Sequence, residues 1–318
     1  MRSILRTALA FAAIGVVLYA AAYYASERLL YRTGDTNPFF KIETAEFEAY
    51  DWVILGASHA MPLDFADFNA HMERETGLKI HNLASPGTGP LYNRFVFEHF
   101  LRDHRTAGLV YVLDSFAFTS PTWNEERFAD AKLLARAPFS LEIAWRMARY
   151  SMEEGVDPRA VLDYLTGFSK INNRDRFKSD IWEGEAQFER VHRPSAAATA
   201  KRIDYLFPQD APDQAALARY LGEFAALLDL ARRQGVEVAV IKMPVPPRFY
   251  EKLPGEAAFD QRLLGLPAMR QALFRDFSLA MDEREFYFDT DHLNRTGLTQ
   301  FFDRYLKAIL VGSETAVP

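Results

Sequence analysis

Residues 53–60 read VILGASHA, an apolar run that stops at a glycine and then presents a serine and a histidine. Val53, Ile54 and Leu55 favour a strand buried on both faces. Gly56 permits a tight exit, and Ser58 then falls just past the strand's carboxyl end. In open sheets of parallel strands, ligands collect at that edge. A serine hydroxyl is a poor nucleophile until a base takes its proton, so a chemical role for Ser58 requires a histidine backed by a carboxylate.

The remaining rhythm supplies the sheet. Strand-like runs at 52–57, 79–84, 108–114, 236–244 and 284–289 alternate with helix-like stretches at 64–77, 91–105, 213–235, across 256–280 and from 295 to 310. Five strands with intervening helices predict an α/β fold, a parallel sheet covered on both faces. Between about 115 and 212 the rhythm breaks, which predicts a helical insertion lying over the strand ends as a cap. No internal repeat or low-complexity tract is present.

Near the far end lies FYFDTDHLNRTG (286–297), with Asp289 and His292 three residues apart. If the loop turns helically there, the two share a face and the carboxylate holds the imidazole tautomer. Asp291 is the alternative orienter, but adjacent residues point in different directions, which favours Asp289.

Composition bounds the options. The chain has 318 residues, 49% hydrophobic and 25% charged, as expected of one large folded domain or one with an insertion. A formal net charge of −6 argues against a nucleic-acid partner. The absence of cysteine excludes disulfides, thiolate catalysis and cysteine-based zinc sites.

Residues 7–26 run without a charge. At helical rise they span ~30 Å, one hydrocarbon core. Arg2 and Arg6 precede this segment and Tyr19, Tyr23 and Tyr24 fall near its far end, which favours a single-pass anchor with the N-terminus inside. Cleavage near Ala20 to Ala22 as a signal peptide is the rival reading; both export the domain. The expected organisation is a transmembrane anchor at 1–28, a tether at 29–50, an α/β domain at 51–312 and a tail at 313–318.

Gly56-Ala57-Ser58 and Asp289-Thr290-Asp291-His292 resemble the first and last blocks of the SGNH (GDSL-like) hydrolase superfamily. The α/β-hydrolase elbow fits less well, because Ala60 stands where its last glycine belongs. The resemblance implies a flavodoxin-like three-layer fold with a five-stranded parallel sheet. It implies Ser58 as nucleophile, His292 as base, Asp289 as orienter, and an oxyanion hole from the Ser58 amide with Gly87 or Gly89 of NLASPGTG (82–89). The third block should carry an asparagine, but this chain reads VLDSFAF (112–118). Ser115, a backbone amide or Asn124 are the candidate replacements.

Within the superfamily the chain is most similar to membrane-anchored members that O-acylate cell-envelope glycans. That likeness implies a periplasmic domain on the inner (cytoplasmic) membrane, an envelope-glycan or acyl-ester substrate, and a polytopic membrane-bound O-acyltransferase as partner. The alternatives are an extracytoplasmic carbohydrate esterase with the same triad, and a non-catalytic partner protein of such an acyltransferase. Neither a cofactor nor a metal is expected. His59 reads as a cap for the following helix, and Asn294 as another local cap. His71, His81, His99 and His104 read as surface or packing residues. Polar side chains of 172–178 read as a solvated loop, and Trp123, Trp145 and Trp182 as packing or sugar-stacking residues.

Overall fold

Five parallel strands form the sheet of the computed structural model, in the order β2-β1-β3-β4-β5: β1 (Ala49–Gly56), β2 (Ile80–Asn82), β3 (Arg105–Val112), β4 (Glu237–Lys242) and β5 (Leu273–Asp276). The described residues are 2–33, 37–130, 133–173, 182–207 and 213–312. The α-helices among the described residues, in chain order, are α1 (Arg2–Thr33), α2 (Pro38–Glu43), α3 (Phe68–Thr76), α4 (Pro90–Asp103), α5 (Leu141–Glu153), α6 (Pro158–Thr166), α7 (Phe168–Asn172), α8 (Ala196–Leu206), α9 (Gln214–Arg233), α10 (Pro247–Tyr250), α11 (Glu256–Leu264), α12 (Arg295–Phe301) and α13 (Lys307–Leu310). This strand order is the flavodoxin-like one.

The chain divides into two compact units. One comprises Met1–Thr44 with Phe128–Asp180, the other Ala45–Arg127 with Ile181–Pro318. The insertion expected across 115–212 is therefore shared, its middle belonging with the N-terminal helices and its ends with the sheet. The stretch read as a tether, 29–50, carries the end of α1, all of α2 and the start of β1. In the first unit, the Asn37 side-chain oxygen accepts from the Phe39 and Phe40 amides to start α2. Residues Ser3–Leu30 of α1 are long and apolar enough to cross a membrane, a property shared with signal sequences.

In the sheet unit, side-chain alternation divides the core. Trp52, Ile54, Val110, Val112, Ala239 and Ile241 join one apolar cluster with Phe68 of α3 and Phe301 of α12. On the opposite face Tyr111 meets Phe224 of α9, and α9 packs along α4. The middle strands are buried on both faces, which is why they read as continuous apolar runs.

The fifth strand differs from expectation. Residues 284–289 form no strand: Arg284–Phe286 is a 3-10 turn, and Tyr287 bridges antiparallel to Leu293 within one loop. Phe286, Tyr287 and Phe288 are buried, so an apolar run that resembles a strand is the packed interior of that loop. The fifth strand is Leu273–Asp276, inside the region read as helical. It is a four-residue, half-exposed edge strand with too little apolar pattern to stand out.

Gly56 ends β1 with φ of +146°, where a Cβ would lie 2.6 Å from the Val112 carbonyl oxygen. Both conformation and space demand glycine. Gly56→Ala should lower unfolding stability by about 1–3 kcal/mol, read as a lower urea midpoint in detergent.

Candidate active site

The turn after β1 and the loop before α12 bring Ser58 and His292 together across 234 positions of sequence, with Ser58 Oγ 2.9 Å from His292 Nε2. The opposite ring nitrogen, Nδ1, lies 2.9 Å from Asp289 Oδ2 and 3.0 Å from Oδ1. The same carboxylate accepts the backbone N–H groups of Asp291 and His292 at 3.0 and 2.8 Å. This Asx-type turn is built from the loop's own residues, so one local motif fixes both the acid and the histidine it faces. Asp291 Oδ1 is 3.6 Å from Nδ1, so Asp289 rather than Asp291 holds the ring.

The loop is closed at both ends. Phe288 N–H donates to the His292 carbonyl and Asn294 N–H to the Phe286 carbonyl. Asn294 caps α12 by accepting from Gly297 N–H. Phe288 stacks on the His292 ring at 5.5 Å, and Trp182 meets it edge-on at 5.3 Å. Trp182 is thus a wall of the site, whereas Trp123 is buried against Phe116 and Tyr205.

His59 does not cap the following helical turn, because both its ring nitrogens are engaged elsewhere. Its Nδ1 bonds Asp114 Oδ1, and its Nε2 lies 3.1 Å from the Asp291 carbonyl oxygen and 3.4 Å from Asp291 Oδ2. The following 3-10 turn, Met61–Asp64, starts at Ala60 with no side-chain cap. Burial pulls the His59 pKa down, but the Asp114 and Asp291 carboxylates overcome it and push it up to about 10. His59 is therefore an imidazolium at neutral pH. Asp114 occupies the stretch where the resemblance requires an asparagine, and an acid there pairs with a cation instead of donating to an oxyanion.

Asp291 is fully buried and gripped by Arg202 of α8, whose Nε donates to both carboxylate oxygens at 3.1 and 2.9 Å. Burial alone would raise the Asp291 pKa; His292, Arg202 and His59 hold it well below the usual carboxylate range. Asp289 is likewise lowered, its burial outweighed by His292.

The oxyanion candidates separate. Gly89 N–H donates to the Trp123 carbonyl, so Gly89 is withdrawn from that role. Asn124 is buried and spent on structure, its amide donating to the Ala117 and Ser120 carbonyls and accepting from Leu91 N–H. Ser115 Oγ donates to Glu256. The Ser58 and Gly87 amides have no acceptor among the described residues.

Beside His59 lies a cavity of about 30 Å³, walled by Asp114, Ser115, Lys242 and Glu256 and by apolar Met243 and Phe249. Lys242 Nζ is 2.8 Å from Glu256 and 2.6 Å from Asp260. Burial raises the Glu256 pKa against the pull of Lys242.

His59, Asp291 and His292 also present ligand atoms within 4.8 Å of one another, a convergence that sequence spacing does not reveal. These atoms are committed elsewhere: both His292 nitrogens to Ser58 and Asp289, both His59 nitrogens to Asp114 and Asp291, and Asp291 to Arg202. A cation there would displace the Arg202 and His59 charges, so the donor set does not suit a metal. His81 stacks on Tyr50, His99 is buried in α4, His104 stacks on Phe100 and His71 packs on Phe68, all packing roles. Of the polar run 172–178, residues 174–178 lie outside the described residues.

Neither a family model nor a curated protein matches the sequence. Among solved structures the chain is similar to a proposed acylhydrolase from Bacteroides fragilis, at 9% identity and a TM-score of 0.43 over 85% of this chain and 89% of that one. A likeness that loose has no bearing on activity.

The raised His59 pKa fixes a sign. Its contribution is fully present below the unfolded value near 6.5 and is lost as pH climbs through about 10. Urea midpoints of the protein should therefore fall between pH 6.5 and 10, and the fall should be smaller in His59→Gln, which cannot titrate.

Proposed function

We propose that this chain is a membrane-anchored serine O-acyltransferase of the SGNH type acting on a cell-envelope carbohydrate. The observation that carries the reading is the continuous contact Ser58 Oγ to His292 Nε2, with Asp289 on Nδ1. Ser58 Oγ attacks the acyl carbonyl carbon as His292 Nε2 takes its proton. The Ser58 and Gly87 amides receive the developing oxyanion. His292 then protonates the departing alcohol, leaving an acyl-serine ester. A carbohydrate hydroxyl gives its proton to His292, attacks that ester and leaves acylated, and Ser58 regains its proton.

Asp289 holds the Nδ1 side of His292 and leaves Nε2 facing Ser58 Oγ, the geometry that a base for that hydroxyl needs.

α1, part of the first unit, serves as the anchor in this reading, with the N-terminus inside and the sheet unit outside. Retention of α1 is supported by Tyr19, whose hydroxyl donates to the Thr166 carbonyl within the first unit. A polytopic membrane-bound O-acyltransferase would supply the acyl group across the bilayer. The same triad with water as the acceptor gives an esterase, and the geometry of Ser58, His292 and Asp289 is equally suited to it.

A fluorophosphonate probe should label Ser58 in the full chain, and Ser58→Ala should abolish labelling. That substitution should lower kcat/KM for p-nitrophenyl acetate by roughly 10⁴–10⁶-fold. Failure of the intact protein to react with either reagent would count against a nucleophilic Ser58. With an envelope oligosaccharide added, a transferase should release nitrophenol faster and yield acylated sugar, whereas an esterase should be indifferent to the sugar.

A further inference from the structure

We infer that the first unit carries a second membrane contact beside α1, an apolar surface on α5, α6 and α7 that lies in the outer headgroup and acyl boundary of the bilayer. The inference rests on reading α1 as the membrane anchor and goes beyond it.

On α5, α6 and α7, six large apolar side chains face outward: Leu141, Trp145 and Met152 on α5, Leu162 and Leu165 on α6, and Phe168 on α7. Their exposures run from 44% at Leu165 to 75% at Met152, values expected of charged surface residues rather than of leucine or tryptophan. Their spacing is ordered. Positions 141, 145 and 152 repeat at intervals of four and seven, one face of a helix, and 162 and 165, three apart, share a face of α6. The opposite face of α5 buries Ile143, Ala144, Met147 and Tyr150. A helix apolar on two sides needs something apolar outside it.

The contacts to α1 set the depth. Gly167, with φ of +66°, links α6 to α7, and a Cβ there would lie 2.0 Å from the Tyr23 ring. One turn earlier on α1, the Tyr19 hydroxyl donates to the Thr166 carbonyl at 3.0 Å. Glu27, the first charge after the uncharged run, pairs with buried Lys170 of α7. Tyr19 lies eight residues before Glu27, so the turn at Thr166 sits ~12 Å of helix rise inside the charge-free segment. Any bilayer that takes in residues 7–26 of α1 must also meet Leu165 and Phe168, which flank that turn. The Tyr19 bond satisfies the Thr166 carbonyl at that depth, and the Glu27 pairing neutralises Lys170. Trp145 is the residue type that favours the interface itself. Amphipathic elements of this kind settle ~5–10 Å into the boundary, in keeping with the depth set by Tyr19.

The natural absence of cysteine permits a direct test on the full chain. Single variants Trp145→Cys and Leu165→Cys, with Leu9→Cys in α1 and Arg233→Cys at the exposed end of α9 as references, are labelled with an environment-sensitive dye. They are then placed in vesicles of phosphatidylethanolamine and phosphatidylglycerol. Nitroxide-bearing lipid should quench probes at 9, 145 and 165, and aqueous iodide should quench only the probe at 233. Iodide quenching at 145 and 165 equal to that at 233, with position 9 still quenched by lipid, overturns the inference and leaves the anchor intact. Loss of lipid quenching at position 9 overturns the anchor reading and this contact with it. Protection of 145 and 165 from both quenchers means that a second copy covers the surface, and overturns the lipid contact.

Discussion

Asp291 is buried completely, and an unpaired carboxylate in such a place would cost several kcal/mol. Two cations answer it. Arg202 reaches from α8 and His59 from the turn after β1, and His59 is itself held by Asp114 past the end of β3. Two distant parts of the sheet unit therefore converge on one side chain of the loop that also carries Asp289 and His292, with Asp114 supporting the second from behind. Removing either cation would leave charge stranded in the interior, so the arrangement is far more sensitive to deletion than an exposed ion pair. Through Asp291 the loop that carries His292 is tied to α8 and to the turn that carries Ser58 and His59.

In the proposed reaction, placing a permanent imidazolium beside His292 has an electrostatic logic. His59 and His292 have ring centroids 4.6 Å apart, and two cations at that separation would repel. The surrounding carboxylates, Asp114, Asp289 and Asp291, offset that repulsion. The site thus tolerates a second positive charge for the moment in which His292 carries a proton. Asp114 is part of the same solution, since its carboxylate is what keeps His59 charged.

How much of this could be read from the chain varies with the reach of each interaction. Ser58 was legible because the strand before it is a continuous apolar run, and Asp289 with His292 because their partnership spans three residues. The central strands were legible for the same reason as Ser58. The edge strand Leu273–Asp276 was not, because four half-exposed residues carry no pattern, while the buried Phe286–Phe288 imitated one. The His59–Asp114 contact spans 55 residues and Arg202–Asp291 spans 89, and neither has any local signature. Gly89 was misread because a glycine in the expected place says nothing about where its amide points; here it points to Trp123.

The hydrogen bond from Tyr19 to Thr166 joins residues 147 positions apart. At ~5–20 residues per second, a ribosome needs roughly 7–30 s to bridge that interval. The face of α1 that carries Tyr19, Tyr23 and Glu27 is therefore made long before α6 and α7 exist to cover it. Threading of the emerging polypeptide must leave that face open until the later helices arrive, so α1 waits for neighbours made more than a hundred residues after it.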